Sequence, residues 1–200
     1  MTSKNLKAGF TLIEMLTVIA IIGILAALVT GVGVRAANGR KISRVQADLN
    51  NLESVIERYQ NDLHFYPPSG ERPELPPLYY ELTGMRFQEP NQYIPLSGGA
   101  PVNPSIFGIG GFANSNPETA KNYFSNLKPN QFSRTTEGVD VLTVPVEGPA
   151  TPAVVEQGSN KQLNTWRYVS NNPTNNPNSF DLWAEIIVGG KTNIIGNWKE

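Results

Sequence analysis

The sequence predicts an α+β fold, with one long N-terminal helix, transmembrane in its first half and amphipathic in its second, packed on a small C-terminal antiparallel sheet. Three observations predict it. From Phe10 to Val34 the only charged residue is Glu14. From Ile42 to Leu63 apolar residues recur at spacings of three and four. From Phe180 to Val188 inward and outward residues alternate, and Gly189 and Gly190 follow.

The apolar run comes first. A helix rises about 1.5 Å per residue and about 20 apolar residues cross a hydrocarbon core, so residues 10–34 are long enough to span a bilayer. A buried core helix is the competing reading, but soluble helices rarely stay apolar on every face for this length. A secretory signal peptide is another. Lys4 and Lys7 give it the basic start, yet the small residues Ala8 and Gly9 precede the apolar run, so cutting there leaves the hydrophobic helix on the mature chain. Gly23, Gly31 and Gly33 weaken the helix, by up to about 1 kcal/mol each relative to alanine, and small residues also permit close helix contact.

The helix continues through residues 35–65. Ile42, Val45, Leu49, Leu52, Ile56, Tyr59 and Leu63 form one stripe, with Asp48, Glu53, Glu57 and Arg58 off it. A coiled coil this short is disfavoured, and cover by the protein's own sheet is expected. Pro67 and Pro68 end the helix, because proline cannot continue it.

Residues 66–200 read as a loop-rich head. Eighteen glycines and 16 prolines, most of them beyond residue 66, argue against a helical bundle. A short helix is expected from Pro77 to Gly84, with proline at its start and glycine at its end. A longer one is expected from Asn116, as its cap, to Lys128. Between them PLSGGAPVNPSIFGIGGF reads as a flexible surface loop. Its glycines do not make a phosphate loop, since no Lys-Ser or Lys-Thr follows. Strands are expected at Val139–Val146, Trp166–Ser170 and Phe180–Val188. The last turns at Gly189–Gly190 into Thr192–Trp198.

A net charge of −1 gives no basic face for nucleic acid. Cysteine is absent, which excludes disulfides and thiolate chemistry. His64 is the sole histidine, beside aromatic residues at the helix end, where packing or capping is a better reading than catalysis. Trp166, Trp183 and Trp198 are candidates for carbohydrate binding, with sheet packing the stronger reading. No catalytic residue is assigned.

Ala8-Gly9 followed by FTLIEMLTVIAIIGILAAL resembles the class III leader and N-terminal helix of type IV pilins and type II secretion pseudopilins. The resemblance implies a pilin-like fold and a leader over residues 1–9. It also implies cleavage between Gly9 and Phe10 by a prepilin peptidase, N-methylation of Phe10, and an assembly role for Glu14, then fifth in the mature chain. It further implies unwinding of the helix near Gly31 and Gly33 in assembled filaments.

A carboxylate well inside the hydrocarbon region costs about 2.5 to 3.5 kcal/mol on insertion scales, so Glu14 wants a cation. A neighbouring subunit's Phe10 amine is the expected partner. Pairing would set the register of parallel helices, while an unpaired acid would penalise misregistered ones. A glutamate snorkelling to the headgroups is the alternative.

Tyr66-Pro67, SFDLWAE and IIGNW are similar to the major pseudopilin of type II secretion. The resemblance leaves residues 69–164 without assignment. That family binds calcium in an acidic loop before the final GNW. Here VGGKTNI puts Lys191 there, so no metal or other cofactor is expected.

The expected function is a structural subunit, not an enzyme, assembled into a helical pseudopilus that serves protein export. Its partners would be copies of itself, other pseudopilins, the prepilin peptidase, an inner-membrane assembly platform and, before assembly, membrane lipid. The expected location is the bacterial inner membrane, single-pass, with the head in the periplasm. A positive-inside count argues the other way, because Arg35, Arg40, Lys41 and Arg44 follow the apolar run and only Lys4 and Lys7 precede it. The alternatives are a type IV pilus subunit and a membrane-anchored enzyme or binding module that uses a pilin-like anchor.

Overall fold

The computed structural model describes residues 10–150 and 154–199, without the side chains of 28–32 and 34. The chain divides into two units, Met1–Arg40 and Lys41–Glu200. Helix α1, Leu12–Leu63, contributes to both.

In the first unit α1 is exposed on every described face, from Leu12, 83% exposed, to Leu25, 56% exposed. None of the described residues of this unit covers those apolar side chains.

In the second unit the stripe of α1 enters the core. Val45, Leu49, Leu52, Ile56 and Tyr59 are buried, with Ile42 and Leu63 half-buried against them. Val55, which the spacing leaves off the stripe, is also buried. The helix stops before the prolines are reached. His64 takes a left-handed conformation at φ 66° and its backbone N–H donates to the Gln60 carbonyl at 2.7 Å, the bond of an αL cap.

Helix α2, Leu78–Thr83, matches the expected short helix and is buried throughout. Gly84 ends it at φ 84°, and a side chain there would press on the Lys121 carbonyl at 2.8 Å. Strands β1, Met85–Gln88, and β2, Gln92–Pro95, form a hairpin that the sequence reading did not contain.

The glycine-rich stretch that follows is not a surface loop. It holds a 3-10 turn at Pro104–Phe107, capped by the Asn103 side chain, and it buries Val102, Phe107 and Phe112. The Phe107 carbonyl accepts from the Glu71 N–H at 2.9 Å. Spaced aromatic residues lock into the core while the glycines take the turns between them.

The helix expected over Asn116–Lys128 does not form beyond one turn. Asn116 does cap, accepting from the Glu118 N–H at 2.9 Å. The next backbone groups are then taken by other segments. The Lys121 N–H and carbonyl both bind the Asn114 side chain, and the Tyr123 and Phe124 N–H groups donate to the Leu82 carbonyl. Tyr123 and Phe124 are thereby buried against α2.

Strands β3, Phe132–Arg134, and β4, Asp140–Leu142, pair antiparallel. The expected strand over Val139–Val146 is cut to three residues, after which Thr143 bridges Thr165 and the Val144 N–H donates to the Asn164 carbonyl at 2.8 Å. Strands β5, Val154–Val155, and β6, Gln162–Leu163, form a second small pair.

The C-terminal sheet is as expected in kind. It orders β7, Arg167–Val169, β8, Asp181–Val188, and β9, Lys191–Gly196, all antiparallel. Leu182, Ala184, Ile186 and Val188 point into the core that the α1 stripe shares, so both apolar surfaces leave water together. Gly189 and Gly190, both at positive φ, make the turn.

Candidate functional site

The start of α1 is built by Thr11 and Glu14. Thr11 stands just before the first helical residue, where free backbone N–H groups need acceptors. Its N–H and hydroxyl both donate to Glu14 Oε2, at 2.8 and 2.7 Å, and the Glu14 N–H donates back to the Thr11 hydroxyl at 3.3 Å. This is a reciprocal capping box. The pattern Thr11-x-x-Glu14 was legible in the sequence and was missed there, because the acid was weighed only as a charge in an apolar run. Oε1 takes no hydrogen bond among the described residues, so it is open to a donor from outside the chain.

Phe10 precedes the cap and is 77% exposed. Gly9, the expected cleavage residue, lies outside the described residues. Gly23, Gly31 and Gly33 all lie within continuous α1. Around Gly23 and Gly33 an added Cβ would meet nothing within 4 Å, so both leave backbone open to a close approach.

Among the described residues no helix is long and apolar enough to cross a membrane.

Other sequence candidates fall elsewhere. His64 is exposed and serves through its backbone at the α1 terminus. Trp166 is buried in the core. Trp183 and Trp198 are half-buried and pack edge to face at 5.9 Å. Asn197 joins them by prolonging the β8–β9 pairing, its amide accepting from the Leu182 N–H and donating to the Phe180 carbonyl. The region where the resemblance looks for an acidic loop is the two-residue turn into Lys191. Among the described residues no group of His, Asp and Glu is placed to hold a metal ion.

Two buried acids were not foreseen. Glu81, on α2, is fully buried. Its oxygens accept from the Tyr59 hydroxyl and the Ala113 and Asn114 N–H groups, at 2.8 to 2.9 Å. Burial holds its carboxyl above the usual range. Asp181 is buried at the start of β8 and accepts from the backbone of Thr174, Asn175 and Asn176. Both organise the second unit.

An exposed apolar helix opened by a threonine–glutamate cap is the site the first unit offers. The family model of the prokaryotic N-terminal methylation motif matches residues 4–30, the stretch that leads into this helix. The chain is similar to type II secretion system core protein G of Escherichia coli K12, 38% identical over 87 residues, which are 39% of this chain and 59% of that protein. It is also similar to the protein of the same name from Pseudomonas aeruginosa, 34% identical over 64 residues, 32% of this chain and 45% of that one. The motif and these relatives support the type IV pilin and type II secretion pseudopilin family. The chain spans about half the length of the curated relatives it matches. No solved structure matches it.

Proposed function

We propose that this chain is a prepilin-type structural subunit of the type II secretion pseudopilus. It is cut after Gly9, methylated at Phe10 and held in the inner membrane by residues 10–34 with its head in the periplasm. It is then drawn into a helical filament with copies of itself and other pseudopilins. The observation that carries this reading is the methylation motif over residues 4–30, running into a helix with an exposed apolar surface and one acid, Glu14. In the filament, bilayer contacts are exchanged for helix contacts, so apolar cover is kept while Glu14 gains the Phe10 amine of a neighbour.

The capping box gives Glu14 a second duty and makes the test sharper. Glu14→Val removes both charge and cap. Glu14→Gln keeps a capping side chain and removes only the charge. Both variants should insert and lose their leader normally, and both should fail to enter filaments, read by shearing and immunoblot. Normal assembly of Glu14→Gln overturns the pairing role and leaves Glu14 as a cap. Mass spectrometry of the mature protein should find N-methylated Phe10 first, and an N-terminus at Met1 overturns the reading as a whole.

A further inference from the structure

Outside the start of α1, the second unit carries a cleft of about 790 Å³ between the segment that leaves α1 and the loop joining β7 to β8. Ligand clefts run from about 300 to 1,000 Å³.

Its walls are fixed by hydrogen bonds. The Tyr168 and Ser170 hydroxyls donate to the Pro67 carbonyl at 2.8 and 2.7 Å, and the Asn171 N–H donates to the Ser69 hydroxyl at 3.1 Å. Behind the lining residues of the same loop, which flank this stretch in sequence, buried Asp181 accepts from the backbone of residues 174–176. The loop is therefore shaped before any ligand arrives, which lowers the ordering cost of binding.

The lining has a distinctive chemistry. No lining residue is charged, so nothing in the cleft would repay the desolvation of a phosphate, a metal ion or a charged peptide. Phe65 lines it with 47% of its surface exposed. The side-chain amides of Asn171, Asn172 and Asn178 are exposed there, and none has a hydrogen-bond partner among the described residues. An amide offers a donor pair and an acceptor in one plane, matching neighbouring hydroxyls, and an open aromatic ring covers the C–H face of a sugar.

We propose that this cleft binds a neutral carbohydrate, with Phe65 as the stacking surface and Asn171, Asn172 and Asn178 as the hydroxyl readers. The cleft lies in the second unit, is lined by no residue of α1 and is independent of filament assembly.

The experiment is NMR titration of the full chain in lauryldimethylamine oxide, a detergent without a sugar headgroup, with cellohexaose, maltohexaose and chitohexaose in turn. At least one should shift residues 65–69 and 170–179 at up to about 10 mM. Phe65→Ala and Asn171→Ala, both at exposed positions without a left-handed backbone, should keep the spectrum of the folded core and weaken binding about tenfold or more, a loss of about 1.4 kcal/mol each. Absence of shifts with all three sugars overturns the proposal. So does binding that both variants retain, or the same shifts on concentrating the protein without sugar, which would assign the cleft to a second copy of the chain.

Discussion

Glu81 is fully buried and forms no ion pair among the described residues, yet it accepts three hydrogen bonds. Those bonds join α1 through Tyr59, α2, and the segment at residues 113–114. Glu81→Gln turns an NH₂ toward one of the backbone N–H groups and leaves it unpaired. The loss should be about 1 to 3 kcal/mol at neutral pH, read from urea unfolding of the detergent-solubilised chain. Because burial raises the folded-state carboxyl above its unfolded value, its contribution is full below the unfolded pKa, and it declines as pH rises through the folded one. The stability gap between wild type and Glu81→Gln should therefore narrow from acid to alkaline pH, and a gap that widens contradicts the assignment. A glutamate inside LYYELTG hints at such a residue, but only the approach of Ala113 and Asn114 supplies its donors. Glu14 is the opposite case, since its cap partner is three residues away and readable from the chain.

At the scale of elements, α1 ends on a non-glycine residue at positive φ. The left-handed conformation costs an ordinary residue about 1 to 2 kcal/mol, and glycine loses part of that advantage to its freer unfolded state. His64→Gly should thus stabilise the second unit by about 0.5 to 1 kcal/mol in urea unfolding, and a loss would show that the imidazole does more than occupy the terminus. The stripe of α1 and the alternation of β8 were legible because each repeats along several turns or pleats on one surface. The segment after Asn116 was misread for the same reason. Its local pattern favours a helix, but Asn114 and the Leu82 carbonyl capture the backbone groups that a second turn would need. The β1–β2 hairpin carries no glycine turn signal and so gave no local warning.

For the molecule as a whole, the two units differ in what water does to them. The described apolar side chains of residues 12–25 are exposed, with no cover from the described residues of their own unit, whereas the second unit buries one continuous core. The full chain should partition into the detergent phase on Triton X-114 cloud-point separation, and a chain lacking residues 1–34 should stay in the aqueous phase with an unchanged far-UV spectrum per head residue. Aqueous partition of the full chain would contradict a lipid-held first unit. The sequence by itself determined the long helix, its apolar and amphipathic halves, the place of Glu14 and the terminal hairpin, because periodicity and charge act within one element. Tertiary structure alone decided the burial of Glu81 and Asp181, the core role of the glycine-rich stretch and the cleft beside Phe65. Each of those depends on segments far apart in sequence competing for the same hydrogen bonds and the same apolar cover, and no local pattern records that competition.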